Sequence, residues 1–176
     1  MRGTRRFGRF TSVAVAAALG LGIGPAGAEP SPLVQAAGPL TDLAPSTANV
    51  TDGASADLYA VPSDEGTYVI LFLWDLDPAA EGTTFGAHVH VGPCVEGDGA
   101  AAGPHYNTGG TPSPETEVWL DFEVLPLGFG VAIAQVPFTI EPGAAQSVVV
   151  HAQPTQADGA TPGAAGARIA CLPVEF

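Results

Sequence analysis

Between residues 51 and 176 the sequence never sustains an apolar repeat at 3.6-residue spacing. It is cut into short runs instead: ADLYAV, TYVILFLWDL, FGAHVHV, EVWLDFEV, FGVAIAQVPFTI, QSVVVHAQ and ARIACLPV. These runs are rich in Val, Ile, Leu, Phe and Thr, and Gly, Pro, Asp and Ser punctuate them. Branched and aromatic side chains lose rotamer freedom in a helix and pack well on a pleated surface. Short runs of this kind, bounded by turn formers, read as strands. Seven or eight of them predict an all-β, antiparallel domain over residues 51–176, a sandwich or a barrel. Two segments carry no strand signal, residues 92–114 and 153–166. Long strandless connections in a compact domain are functional or mobile. Here they flank the histidines, which favours function.

The chain opens differently. MRGTRRFGRF carries Arg2, Arg5, Arg6 and Arg9, followed by the apolar run SVAVAAALGLGIGPAG and the small residues Ala26, Gly27 and Ala28. A basic start, an apolar centre and a small-residue site form a secretory signal peptide, residues 1–28, with cleavage expected after Ala28. The run is too short and too rich in Gly to span a membrane comfortably. No other stretch could cross one, so no membrane span is expected once the signal is cleaved. Residues 29–50, rich in Pro and Ala, read as a flexible linker. Export would place the protein outside the cytoplasm: secreted, periplasmic or in the cell envelope.

Removing residues 1–28 leaves eighteen acidic side chains facing one basic one, Arg168. Nothing remains to neutralise phosphate, so nucleic acid and anionic membranes are poor partners. A lone cation in so acidic a chain is either a survivor of a biased composition or a group that meets an anion at one place. Cys94 and Cys171 are the only cysteines. An even count in an oxidising compartment argues for a disulfide, with two buried thiols as the alternative.

The chain has four histidines. His88 and His90 form an HxH pair, and in a strand positions i and i+2 project from one face. His105 lies in GPHYN and His151 in VVVHAQ. All four are candidates for one metal site. Sulfur ligands are scarce, since the only methionine is Met1 and both cysteines are candidates for a disulfide. Four imidazoles without thiolate suit copper, zinc or nickel. A tetragonal nitrogen set suits Cu(II), and copper cycles between two oxidation states where zinc does not.

The ordered set GAHVHVGPC, GPHYN, VVVHAQ and GARIAC resembles the copper/zinc superoxide dismutases across roughly residues 51–176. The resemblance implies a Greek-key antiparallel β-barrel of immunoglobulin-like sandwich type, with two long functional loops holding metal outside it. It implies that His88, His90 and His151 are copper ligands and that His105 is the histidine that faces copper with one nitrogen. It implies a Cys94–Cys171 disulfide and an anion-guiding role for Arg168 beside the copper.

The chain also departs from that family. Between His105 and the next strand no further histidine occurs, and Asp121 with His105 alone does not make a zinc site. The resemblance is therefore to a copper-only type with zinc absent. The second nitrogen of His105 then needs another partner, and metal-bound imidazoles donate their far N–H to a carboxylate or carbonyl. Glu117 and Asp121 are the candidates, with Glu117 favoured.

The activity implied is an exported copper-dependent superoxide dismutase, converting superoxide to oxygen and hydrogen peroxide by Cu(II)/Cu(I) cycling. The resemblance implies superoxide anion as the substrate, Arg168 and His105 as the catalytic residues, and a copper donor as a partner. The alternative is a non-enzymatic copper buffer or delivery protein on the same fold. Arg168 discriminates between them, because storing a cation gains nothing from a nearby positive charge.

Overall fold

A computed structural model describes residues 33–176. The expected signal peptide, residues 1–28, lies outside the described residues. Among those residues no helix is long and apolar enough to cross a membrane.

The strands are β1 (Val34–Pro39), β2 (Thr41–Asp42), β3 (Ser55–Ser63), β4 (Gly66–Trp74), β5 (Thr84–Phe85), β6 (Ala87–His90), β7 (Phe122–Glu123), β8 (Gly130–Val136), β9 (Ser147–His151) and β10 (Arg168–Pro173). One sheet runs β1-β3-β4-β8 and a second runs β2-β10-β9-β6, with a small β5-β7 pair beside them. Every ladder is antiparallel. No ladder joins the two four-stranded sheets, so the expected barrel is not closed and the architecture is a β-sandwich.

Residues 29–50 were expected to be a linker, and part of that segment is folded instead. β1 pairs residue for residue with β3 from Val34↔Ala60 to Pro39↔Ser55, and β2 pairs with Ala170 and Cys171 in the middle of β10. Val34, Ala36 and Leu40 pack against the core. The signal was hidden by composition: VQAAGP alternates, but its Ala, Gly and Pro are weak strand formers. Pro39 is tolerated because β1 is an edge strand.

The core lies between the sheets. β3 and β4 alternate buried and exposed positions, the period-two signature of a half-buried sheet. Leu58, Val69, Leu71 and Leu73 enter from one side, and Val89, Val148, Val150 and Leu172 from the other. Burying an aliphatic side chain of this size contributes about 1.5–3 kcal/mol.

β6 and β9 break the alternation, because every residue in both is buried. Their inner positions, Ala87, Val89, Val148 and Val150, belong to the main core. Val149 packs outward with Leu43, Ala102 and Cys171 in a second small cluster. The outer face of this sheet is thus covered as well. The long connections, residues 91–121 and 152–167, supply Ala102, the Pro104 and Gly103 carbonyls, and the chain around Gln153. The Cys94–Cys171 disulfide, with Cα atoms 5.6 Å apart, fastens the first connection to β10. Gly97 N–H, donating to the Asp42 carbonyl, fastens it to β2.

Candidate metal centre

The strand period fixes where the histidines go. Ala87 and Val89 point into the core, so His88 and His90 point to the outer face, opposite Val149 and Ser147 of β9. His151 ends β9 on that same face. His105 arrives from the first long connection through a bridge to His90. Four donor atoms, one from each ring, lie within 4.8 Å of one another. Ring centroids are 4.2 Å apart for His88–His105, 4.6 Å for His90–His105 and 4.8 Å for His88–His151. His88, His90 and His151 are buried, and His105 is the half-exposed member.

Each ring has one nitrogen fixed from outside. His90 Nδ1–H donates to the Gly103 carbonyl at 3.1 Å, and His151 Nδ1–H to the Gly166 carbonyl at 3.3 Å. His105 Nδ1–H donates to Glu117 Oε2 at 2.8 Å, and His88 Nε2–H to Thr155 Oγ1 at 2.7 Å. Carbonyls and carboxylates only accept, so the bonds of His90, His105 and His151 set their tautomers; at His88 the Thr155 hydroxyl hydrogen goes to Asp121, which leaves Nε2 as the donor. A neutral imidazole has a single N–H. The Nε2 atoms of His90, His105 and His151 and the Nδ1 of His88 are therefore bare acceptors.

Two observations test whether this set suits a metal ion. His88 Nδ1 is buried and has no hydrogen-bond partner. His90 Nε2 and His151 Nε2 are 3.3 Å apart. That distance is a hydrogen bond only if one ring is protonated. Burial opposes this, pulling His90 down to about 3 and His151 to about 4. Burial, with the charges of His105 and its neighbours, also holds His88 well below the ordinary imidazole range. At neutral pH the site therefore presents lone pairs with no proton between them, and a cation satisfies them. The four residues fit a metal that prefers nitrogen.

Glu117 is buried and fully engaged. Its Oε2 also accepts from Trp119 Nε1 at 2.8 Å, and its Oε1 from Asn107 Nδ2 at 2.9 Å. Burial alone would raise its carboxyl, but the bonds from His105, Trp119 and Asn107 outweigh burial and hold it below its ordinary value. Gly163, at φ +80°, lets the second long connection close over this pair: a Cβ there would stand 3.3 Å from Glu117 Oε2. Asp121, the other carboxylate considered, does not touch His105. Its oxygens accept from the Thr155 hydroxyl and from the Thr155 N–H, the latter at 2.8 Å.

Arg168 starts β10 directly opposite His151. It lines one opening together with His105 and His151. Its Nη1 donates to the Gly99 carbonyl at 2.6 Å. Among the described residues no carboxylate stands within ion-pair distance of it, so its charge is not neutralised. Cys94 and Cys171 are joined.

No sequence-family model and no curated protein sequence matches the chain. Solved structures do match. A crystal structure of a double mutant of a SOD-like protein from Bacillus subtilis aligns with a TM-score of 0.57 at 23% identity, covering 82% of this chain and 97% of that one. A single mutant of the same protein aligns with a TM-score of 0.57 at 20% identity and the same coverage. The fold is SOD-like.

On this SOD-like frame, sequence reasoning missed five contributors around the histidines and Glu117: Thr155, Asn107, Trp119 and the carbonyls of Gly103 and Gly166. Backbone carbonyls carry no sequence signal. Thr155 sits in QPTQADG, where nothing marks a threonine as a partner of a strand more than sixty residues away.

Proposed function

We propose that this chain is an exported, copper-dependent superoxide dismutase of copper-only type. The observation that carries the reading is the pairing of four inward imidazole nitrogens with an unneutralised arginine at the same opening. His88 Nδ1 and the Nε2 atoms of His90, His105 and His151 would hold the ion. Copper supplies, when bound, the one-electron couple that takes superoxide to oxygen and to hydrogen peroxide. Nitrogen donors suit it, and the resemblance of GAHVHVGPC, GPHYN, VVVHAQ and GARIAC points the same way.

The protein's own groups do the rest. Arg168 binds and orients the anion, because a guanidinium stays charged and offers a donor fork to a small oxyanion. His105 is the proton carrier. Glu117 holds its Nδ1–H, so Nε2 can hold the ion or a proton but not both, and it would take up and hand on a proton only while released from the ion. Being the most exposed of the four rings, it is the one solvent protons reach. The carbonyls of Gly103 and Gly166 keep His90 and His151 in the donor tautomer. Export rests on the basic and apolar layout of residues 1–28 and is supported by the disulfide.

Superoxide decay in the presence of copper-loaded, zinc-loaded and metal-free protein tests this. Turnover is expected from the copper form alone. Tight copper binding with no turnover would replace the enzyme with the copper buffer or delivery protein.

A further inference from the structure

We propose that Thr155 is a positioning residue of the metal centre, linking Asp121 to His88 so that the ring keeps its Nδ1 turned, unprotonated, toward the other three donors. The inference deepens the metal-site reading above and rests on it.

The directions of the bonds follow from chemistry. An ionised carboxylate accepts and never donates. Asp121 takes both the hydroxyl hydrogen and the backbone N–H of Thr155, so that single hydroxyl hydrogen is spent. Thr155 Oγ1 can then only accept from His88, and the proton between them sits on Nε2. A neutral ring with Nε2–H has a bare Nδ1, the buried atom left without a partner. The other three rings are held by a carbonyl or a carboxylate directly. His88 alone is held through a hydroxyl, which can donate or accept. Asp121 removes that ambiguity.

The backbone is shaped for this contact. Gly86 lies two residues before His88, and a Cβ there would come within 2.8 Å of Thr155 Oγ1 and 2.8 Å of the Ala165 Cβ. Gly86 N–H also donates to the Gln153 carbonyl at 2.9 Å. The second long connection thus approaches the strand at the one place where no side chain blocks it. The same connection supplies the Gly166 carbonyl to His151, so one loop orients two of the four rings.

Thr155→Val keeps the shape and the N–H to Asp121 but removes the hydroxyl, and Thr155→Ser restores it. Two readouts apply. Imidazole 15N NMR of the metal-free protein reports the His88 tautomer. Competition titration with Cu(II) reports affinity, and the Cu(II) EPR spectrum reports the ligand field. We expect wild type to show His88 as Nε2–H. Thr155→Val should lose that signal and bind Cu(II) about 10–100-fold more weakly, with an altered EPR spectrum, and Thr155→Ser should recover both. If Thr155→Val does not fold, Asp121→Asn keeps the hydroxyl and weakens its acceptor. A mixed His88 tautomer and weaker Cu(II) binding are then expected. Wild-type tautomer, affinity and spectrum in Thr155→Val, or in Asp121→Asn, would reduce Thr155 to a loop anchor and overturn the inference while leaving the copper site intact. Failure of the wild-type protein to bind Cu(II) would overturn the function reading. The tautomer measured in the metal-free protein would still show whether the Asp121–Thr155–His88 link exists.

Discussion

Arg168 faces His151 across neighbouring strands because Ile169 is an extra residue in β10. Cys171 pairs with Val149 and Ala170 with Val150, yet the next pair is Arg168 with His151. Without that bulge, strand alternation would turn position 169 to the metal face and Arg168 toward the core. Ile169 instead packs into the core, and its carbonyl accepts from Leu43 N–H at 3.0 Å. The bulge aims the only cation of residues 29–176 at the opening shared with His105 and His151.

Arg168→Ala should therefore lower kcat/KM for superoxide by about ten-fold or more, the scale of losing one placed charge-stabilising donor. Copper content should stay unchanged, since no ligand is touched. Stopped-flow superoxide decay with parallel metal analysis checks this. Turnover near wild type would remove Arg168 from the mechanism.

Eighteen acidic side chains against one arginine set up a long-range repulsion toward an anionic substrate. Screening shortens from about 30 Å at 0.01 M salt to about 8 Å at 0.15 M. Repulsion from the distant surface should be screened before attraction by Arg168. Activity is expected to rise or stay flat as salt is first added, measured as kcat/KM across that range. A steep fall would mean that focused attraction dominates.

Breaking the disulfide should act on both stability and the site. The Cys94–Cys171 link closes a separation of 77 residues, which corresponds to about 4 kcal/mol in the chain-entropy account. The same connection carries the Gly99 carbonyl that holds Arg168 and the Gly103 carbonyl that holds His90. A Cys94→Ala, Cys171→Ala variant should unfold at lower temperature, and at temperatures where it is still folded it should lose turnover. Calorimetry and the superoxide assay on one preparation separate the two effects.

The metal-free protein should lose stability as pH falls from about 6.5 toward 4. In the unfolded chain His90 and His151 take up protons near 6.5, while burial delays uptake in the folded state to about 3 and about 4. Through that window the unfolded state binds more protons, so acid favours it. Glu117 acts in the same sense. Its folded carboxyl lies below the ordinary value, and that contribution, present above the unfolded value, disappears as pH falls through the folded one. Thermal melts of chelator-treated protein between pH 7 and pH 4 check the slope. A flat profile would mean the rings are not buried as neutral bases.

The sheets were legible because Val, Ile, Leu and Phe concentrate in runs such as TYVILFLW and SVVVH, and the histidines because His88 and His90 share a strand period. β1 was not legible, because Ala, Gly and Pro dilute its alternation. Glu117 could be weighed from its place near Asp121 and the position the resemblance gives it, but the convergence of His105, Asn107 and Trp119 on it depends on the loop folding back on itself. The aim of Arg168 depends on a one-residue bulge, and the tautomer of His88 on Thr155. Neither leaves a local pattern, since each is set by chain that returns from far along the sequence.

The most direct measurement is the metal content of the purified protein after loading with copper and zinc together, counted per chain. The account predicts one copper per chain and no bound zinc, with copper lost when His88, His90 or His151 is replaced by alanine. A chain that retains no copper, or that holds it equally well without those three imidazoles, would contradict it.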